Sequence, residues 1–271
     1  MQPGEDPLQD HSSRDSFWIP DLSMTEDQFL HELYSRAREF GVLDPLFPGM
    51  VLYNVPGHLM RNLWPEKLEQ WKKKPVLMGF AANESGWKGK LDALQSRLDP
   101  NSGHATLQKN FVMQGSQCIA LSSVPTAEAQ SSSNVALCWV PLQDKGLQLA
   151  ERTDAESRFE FGGETFLHYR MSGEVTLANQ DFRIVSSSVY RRFGPVFMLR
   201  EVTGLGAIAL GILEHHGISV PSEKYLSECA QNRSQGRPKK SDLIQAQEFI
   251  GRLCESVPQR HPLWDRMKAS R

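Results

Sequence analysis

The sequence predicts an α+β fold: N-terminal helices, a central antiparallel sheet of short strands, and a C-terminal helical segment. Three observations lead there. Apolar residues recur at helical spacing in the first hundred residues and again after Pro195. Between those regions, from about residue 110, short β-rich runs are broken by Gly-Gly, Ser-Gly and Asn-Gln. Helices, then strands, then helices is the order of a segregated α+β chain rather than an alternating α/β one.

Residues 1–22 are rich in Pro, Ser, Gln and Asp and read as a disordered acidic tail. One exception is SFWIPDL, where Phe17, Trp18, Ile19 and Leu22 stand among acids as a candidate docking peptide for a protein partner. The first helix is SMTEDQFLHELYSRAREFG. Ser23 with Glu26 reads as its capping box, Phe29, Leu30, Leu33, Ala37 and Phe40 as its buried stripe, and Gly41 as its stop. Pro45, Pro48 and Gly49 mark turns before MVLYNV, and PGHLMRNLW and PEKLEQWKKK read as two short helices. VLMGFAA is a buried strand. WKGKLDALQSRL follows as a helix, because Trp87, Leu91, Leu94 and Leu98 recur at intervals of four, three and four.

NFVMQ, CIALSS, VALCWV, RFEF, TFLHYRM, EVTLA and DFRIVS are the strands, joined as hairpins. After Pro195 come a buried Gly/Ala-rich helix, a helix opening at Pro221, and SDLIQAQEFIGRLCESV capped by Ser241. The expected division is a tail over 1–22, an α+β core over 23–195, and a helical region over 196–271 carrying a basic loop at 231–241.

The chain has 271 residues and enough apolar material for a sizeable core. Its mean hydropathy of -0.43 and the shortness of its longest apolar run, LGAIALGIL, argue against a membrane span or membrane partner. Cys118, Cys138, Cys229 and Cys254 are far apart and lack metal-ligand spacing, so they read as buried thiols in a reducing, cytoplasmic compartment, with no metal expected. The net charge of -2 hides a polarity: residues 1–32 sum to -7 and residues 231–271 to +5.

Two motifs are set aside on their context. Gly204, Gly206 and Ala209 match G-x-G-x-x-A, but the preceding segment carries Arg200 and Glu201 where a central parallel strand is apolar, so no nucleotide cofactor is expected. His215 and His216 diverge by about 100° on a helix and do not share a site. Asn83, Glu84 and Ser85 follow a strand, where enzymes place functional groups, but helix capping accounts for them.

The stretch QGRPKK, residues 235–240, resembles the AT-hook, a short peptide around Arg-Gly-Arg-Pro that lies in the minor groove of A·T-rich DNA. Gly236, Arg237 and Pro238 match, and Gln235 stands in place of the first arginine. Independently of that resemblance, Arg233, Arg237, Lys239 and Lys240 concentrate four cations that can each neutralise a phosphate. Arg191 and Arg192, between Tyr190 and Phe193, form a second candidate patch for phosphate contact with base stacking. The expected function is therefore a non-catalytic protein binding nucleic acid, DNA before RNA, or a nucleoprotein assembly. A subunit docking through SFWIPDL and the C-terminal helices is the alternative, and a small-molecule enzyme of unknown class the third reading.

Overall fold

The computed structural model describes residues 17–124, 134–234, 240–258 and 261–264. The chain order is α1 (Glu26–Phe40), α2 (Phe47–Asn54), α3 (Pro56–Leu63), α4 (Pro65–Lys73), β1 (Gly79–Ala81), β2 (Arg97–Leu98), β3 (His104–Met113), β4 (Gln117–Ser123) and β5 (Asn134–Pro141). It continues with β6 (Leu147–Glu151), β7 (Arg158–Phe161), β8 (Glu164–Thr176), β9 (Phe182–Ser186), α5 (Ser187–His215), α6 (Ser222–Ser234) and α7 (Lys240–Ser256). The α+β class read from the sequence holds. The chain divides into two compact units, one of residues 58–158 and 165–191, the other of residues 17–57, 159–164 and those from 192 on. The boundary expected at residue 195 falls inside α5.

The first unit is built on one sheet in the order β6-β8-β3-β2-β4-β5-β9, with β1 added on β4. The expected antiparallel pairing holds for most of it, but β1 and β2 both run parallel to β4, so the sheet is mixed. Alternation along β3 turns Ala105 and Leu107 inward, where they join Cys118, Ala120, Ala136, Cys138 and Met171 in the core. Helix α4 starts at Pro65, which needs no amide partner at a helix's first position. It leans on the β5–β9 side of the sheet through Lys67, whose ammonium lies 4.7 Å over the Trp139 ring and 2.6 Å from Asp181 Oδ1.

The second unit is helical. The capping box of α1 is made by Thr25 and Gln28, not by Ser23 and Glu26 as the sequence suggested. Glu26 is freed for another task. Helix α2 takes in Pro48 and Gly49, read as turn residues, because a proline in the first helical turn gives up an amide that has no partner anyway. Helix α5 begins at Ser187 and runs through Pro195, so Tyr190 and Phe193 are helical rather than parts of a strand-end turn. Its apolar stretch, of mean hydropathy 1.7, is long enough to cross a membrane and is 83% buried within the protein. Gly211 lets α5 and α1 touch: a Cβ there would stand 2.4 Å from the Tyr34 carbonyl oxygen.

Candidate functional site

The cations expected to meet phosphates part company in the structure. Arg233 is buried in the helical unit, its Nε donating to Glu26 Oε2 at 2.7 Å and its Nη2 to Asn54 Oδ1 at 2.7 Å. Its Nη1 donates to the Arg200 carbonyl and Thr203 Oγ1, and the guanidinium lies 5.1 Å over the Phe29 ring. Arg200 binds the other oxygen of Glu26. This is an internal clamp joining α1, α5 and α6, and no polyanion reaches it. Arg191 and Arg192 are exposed on the first turns of α5. Arg237 and Lys239, with the rest of the AT-hook-like stretch to Gln235, lie outside the described residues, as does the side chain of Lys240. Phe17, Trp18 and Leu22 are buried and Ile19 is half-buried, with the Trp18 amide bonded to the Pro45 carbonyl. Phe17, Trp18 and Leu22 are thus part of the core of their own unit.

A different arrangement stands out in the sheet. β1 pairs with β4 up to Ala81↔Ala120, and a strand continued in register would place residue 84 opposite Ser123. Arg97 of β2 stands there instead. β1 and β2 therefore occupy one strand position between β3 and β4, interrupted where residues 84–96 loop out. The helix expected over WKGKLDALQSRL does not form. Gly86 and Gly89 sit at φ +72° and +81°, a left-handed conformation that helices exclude, and Arg97 and Leu98 are claimed by the sheet. The apolar spacing that suggested a helix has another use, since Leu91, Leu94 and Leu98 are the buried pins of the loop.

An ion pair sealed inside the unit closes the gap in the strand row. Glu84 and Lys109 are 1% and 0% exposed, with Nζ 2.6 Å from Oε1. The carboxylate also accepts from the amides of Gln95 and Ser96, which the interrupted strand would otherwise leave without partners. Ser96 Oγ in turn accepts from the Gln108 amide at 2.9 Å, and the Ser96 carbonyl accepts from Ser123. A register shift in β3 between Lys109 and Val112 is a one-residue bulge. It lets the Asn110 amide donate to the Asn83 carbonyl at 2.8 Å. Both ends of the excursion are fixed.

Burial would push the Glu84 carboxyl up, but the hydrogen bond and charge of Lys109, with the two amides, hold it below its usual range. Burial pushes the Lys109 ammonium down against the opposing pull of Glu84. With three hydrogen bonds on the carboxylate, the ammonium against it and water excluded, the pair positions the loop rather than exchanging protons with a ligand. Cys118 and Cys138 nearby are pushed up to about 12 by burial, so they stay as thiols and offer no nucleophile. His168 on β8 donates from Nδ1 to the Ser157 carbonyl at 3.1 Å, with the Phe111 ring 4.0 Å away, and burial lowers it to about 4. It is a neutral core histidine.

The outer rim of the excursion has the opposite character. Asn83, Ser85, Gly86, Lys88, Gly89, Lys90 and Arg97 are exposed, and Trp87 is half-buried. The space above Gly86 and Gly89 is open. The result is a rigidly rooted loop with cations and bare backbone at its rim. In the helical unit, an open hollow of ≈ 540 Å³ along α1 is lined by Asp21, Gln28, His31 and Glu32, among others. Its carboxylates repel anions.

Sequence reasoning assigned Asn83, Glu84 and Ser85 to capping because no partner was visible. The missed signal was phase: Lys109 follows Ala105 and Leu107 at period two, a lysine on the core face of a strand. Such a lysine requires a carboxylate.

No family model matches the chain, and no curated protein matches it in sequence. Solved structures do. Butyryl-CoA dehydrogenase from Megasphaera elsdenii superposes with a TM-score of 0.60 at 11% identity, over 91% of this chain and 72% of its own. An electron-transferring flavoprotein of Acidaminococcus fermentans gives 0.61 at 12% identity, over 86% and 70%. Glutaryl-CoA dehydrogenase in complex with glutaryl-CoA gives 0.57 at 12% identity, over 87% and 69%. At such identity the likeness establishes the fold. It overturns the expectation of a non-catalytic nucleic-acid-binding protein, and with it DNA or RNA as partners, since this fold is that of dehydrogenases and a flavoprotein.

Proposed function

We infer that this chain is a flavin-dependent oxidoreductase acting on a small acyl thioester. One observation carries the reading: the likeness to butyryl-CoA dehydrogenase covers 91% of the chain. A chance similarity confined to the sheet or to the helices would not extend so far. The coenzyme-A thioesters named for two of the similar proteins supply the substrate class.

The residues present fit a phosphate-bearing flavin nucleotide at one place and exclude it at another. The hollow along α1 carries Asp21 and Glu32 and would repel phosphate. The looped-out rim offers Lys88, Lys90 and Arg97 with no carboxylate in ion-pair contact among the described residues, and it leaves the backbone at Gly86 and Gly89 approachable. Those cations, with the exposed Asn83 side chain, would hold the phosphate-bearing end. A bound flavin supplies a two-electron acceptor for hydride leaving a substrate carbon.

The protein's own part is to bind and orient. Glu84 and Lys109 hold the rim in place from beneath. Glu84, Glu26 and Glu214 are bound respectively by Lys109, by two arginines, and by Tyr34 with Ser222. None of the three can take a substrate proton without giving up a partner, so none of them serves as a free base for carbon deprotonation.

The test is reconstitution of the full chain with FAD or FMN. A stoichiometric yellow complex that survives gel filtration, and that butyryl-CoA or glutaryl-CoA bleaches without oxygen, supports the reading. A chain that retains neither flavin overturns it.

A further inference from the structure

Trp87 is held at both its backbone and its ring. Its amide donates to the Glu84 carbonyl at 3.1 Å, and its indole Nε1 donates to the Lys90 carbonyl at 2.6 Å across the turn. The ring is therefore fixed by both its backbone and its only polar atom. Yet among the described residues no aromatic ring and no cation stacks on it, and it is only half-buried. A large apolar plane held rigid without a partner is a platform waiting for one. Around it stand Lys88 and Lys90, both exposed and outside any ion pair among the described residues, with the open backbone of Gly86 and Gly89 between them.

The geometry points to the segment 84–96 as a docking site for an adenosine diphosphate moiety, the base stacking on Trp87 and the diphosphate meeting Lys88, Lys90 and the open backbone at Gly86 and Gly89. Stacking needs a flat face whose orientation is already set, which the Trp87–Lys90 hydrogen bond provides. Diphosphate needs unpaired cations and close backbone approach, which the two lysines and two left-handed glycines provide. Both FAD and coenzyme A carry this moiety, so the proposal rests on the flavin-thioester reading for the ligand's source but not for its chemistry. FMN lacks the adenosine and would leave the platform bare.

The test is calorimetric titration of the full chain with ADP, adenosine and inorganic pyrophosphate, followed by competition with coenzyme A and FAD. ADP should bind more tightly than either fragment. Trp87→Ala should weaken ADP by about tenfold, while Trp87→Phe keeps most of the affinity. Lys88→Ala/Lys90→Ala should weaken ADP and pyrophosphate alike and flatten the salt dependence. Near-UV circular dichroism checks that each variant folds. Displacement of ADP by coenzyme A or by FAD identifies the source, and either supports the site. ADP affinity unchanged in both Trp87→Ala and the double lysine variant overturns it, as does absence of ADP binding. The two readings fail separately: a chain that retains flavin but whose ADP affinity is unchanged in both variants loses only this site, and one that binds ADP through Trp87 but retains no flavin loses only the oxidoreductase assignment.

Discussion

Replacing Glu84 by glutamine tests the anchor beneath the loop. The amide keeps the side chain's volume and one accepting oxygen, so the Gln95 or Ser96 amide retains a partner. The Lys109 ammonium, 0% exposed, loses its counter-charge at 2.6 Å and keeps only a marginal contact of 3.5 Å to the Ala82 carbonyl. Stranding one member of a buried pair costs about 3–5 kcal/mol, against a total stability of about 5–15 kcal/mol. At about 2–4 °C per kcal/mol for a chain near this size, the melting point should fall by roughly 6–20 °C. Lys109→Met leaves the carboxylate with its two backbone amides, so its cost is smaller, about 2–3 kcal/mol. In the double variant both charges are gone, and its loss should fall short of the sum by about 2 kcal/mol or more. Urea unfolding followed by near-UV circular dichroism gives the four stabilities of the cycle, and hydrogen exchange at Gln95 and Ser96 reports the loop locally. Strictly additive losses, or amides that exchange no faster in Glu84→Gln, refute the account of this pair as the loop's anchor.

Three further outcomes follow from the described contacts. His168 is held at about 4 in the folded chain against an ordinary 6.5, so the unfolded chain takes up the proton first. Stability is complete above pH 6.5 and drains by about 3 kcal/mol as pH falls toward 4; His168→Phe should flatten that part of a stability–pH curve. Gly211→Ala, which in an open helix would stabilise by about 1 kcal/mol, should instead destabilise by about 1–3 kcal/mol in thermal melts. The added methyl would stand 2.6 Å from Ala37 Cβ as well as against the Tyr34 carbonyl, so α1 and α5 must part. Arg233→Met should cost about 3–5 kcal/mol by denaturant titration, because Glu26 and Asn54 lose a buried donor, whereas Arg191→Ala and Arg192→Ala on exposed turns should stay within about 0.5 kcal/mol.

Periodicity made the fold class legible, along with α1, α3, α4 and most strands, because a half-buried helix or strand must repeat its apolar side at its own period. Periodicity also misled. Trp87, Leu91, Leu94 and Leu98 match a helix, yet three of them are pins on an irregular path, and the left-handed Gly86 and Gly89, on either side of Trp87, outweighed the spacing. Composition could not show that Arg233 faces inward, since a buried arginine and a surface one look alike in a run of bases. What decides is Glu26, some two hundred positions earlier. The parallel pairing of β1 and β2 was hidden for a related reason, as a two-residue strand carries no pattern of its own. Glu84 and Lys109 could have been matched from the phase of Lys109 alone.

The loop between β1 and β2 leaves and re-enters the sheet at points only three residues apart along β4, about 10 Å. Its stems are locked by bonds that involve none of the rim side chains. Such a segment behaves as an exchangeable cassette: its tip can be lengthened, shortened or rewritten without asking the strands on either side to refold. The rim's sequence can therefore change on a framework that stays still.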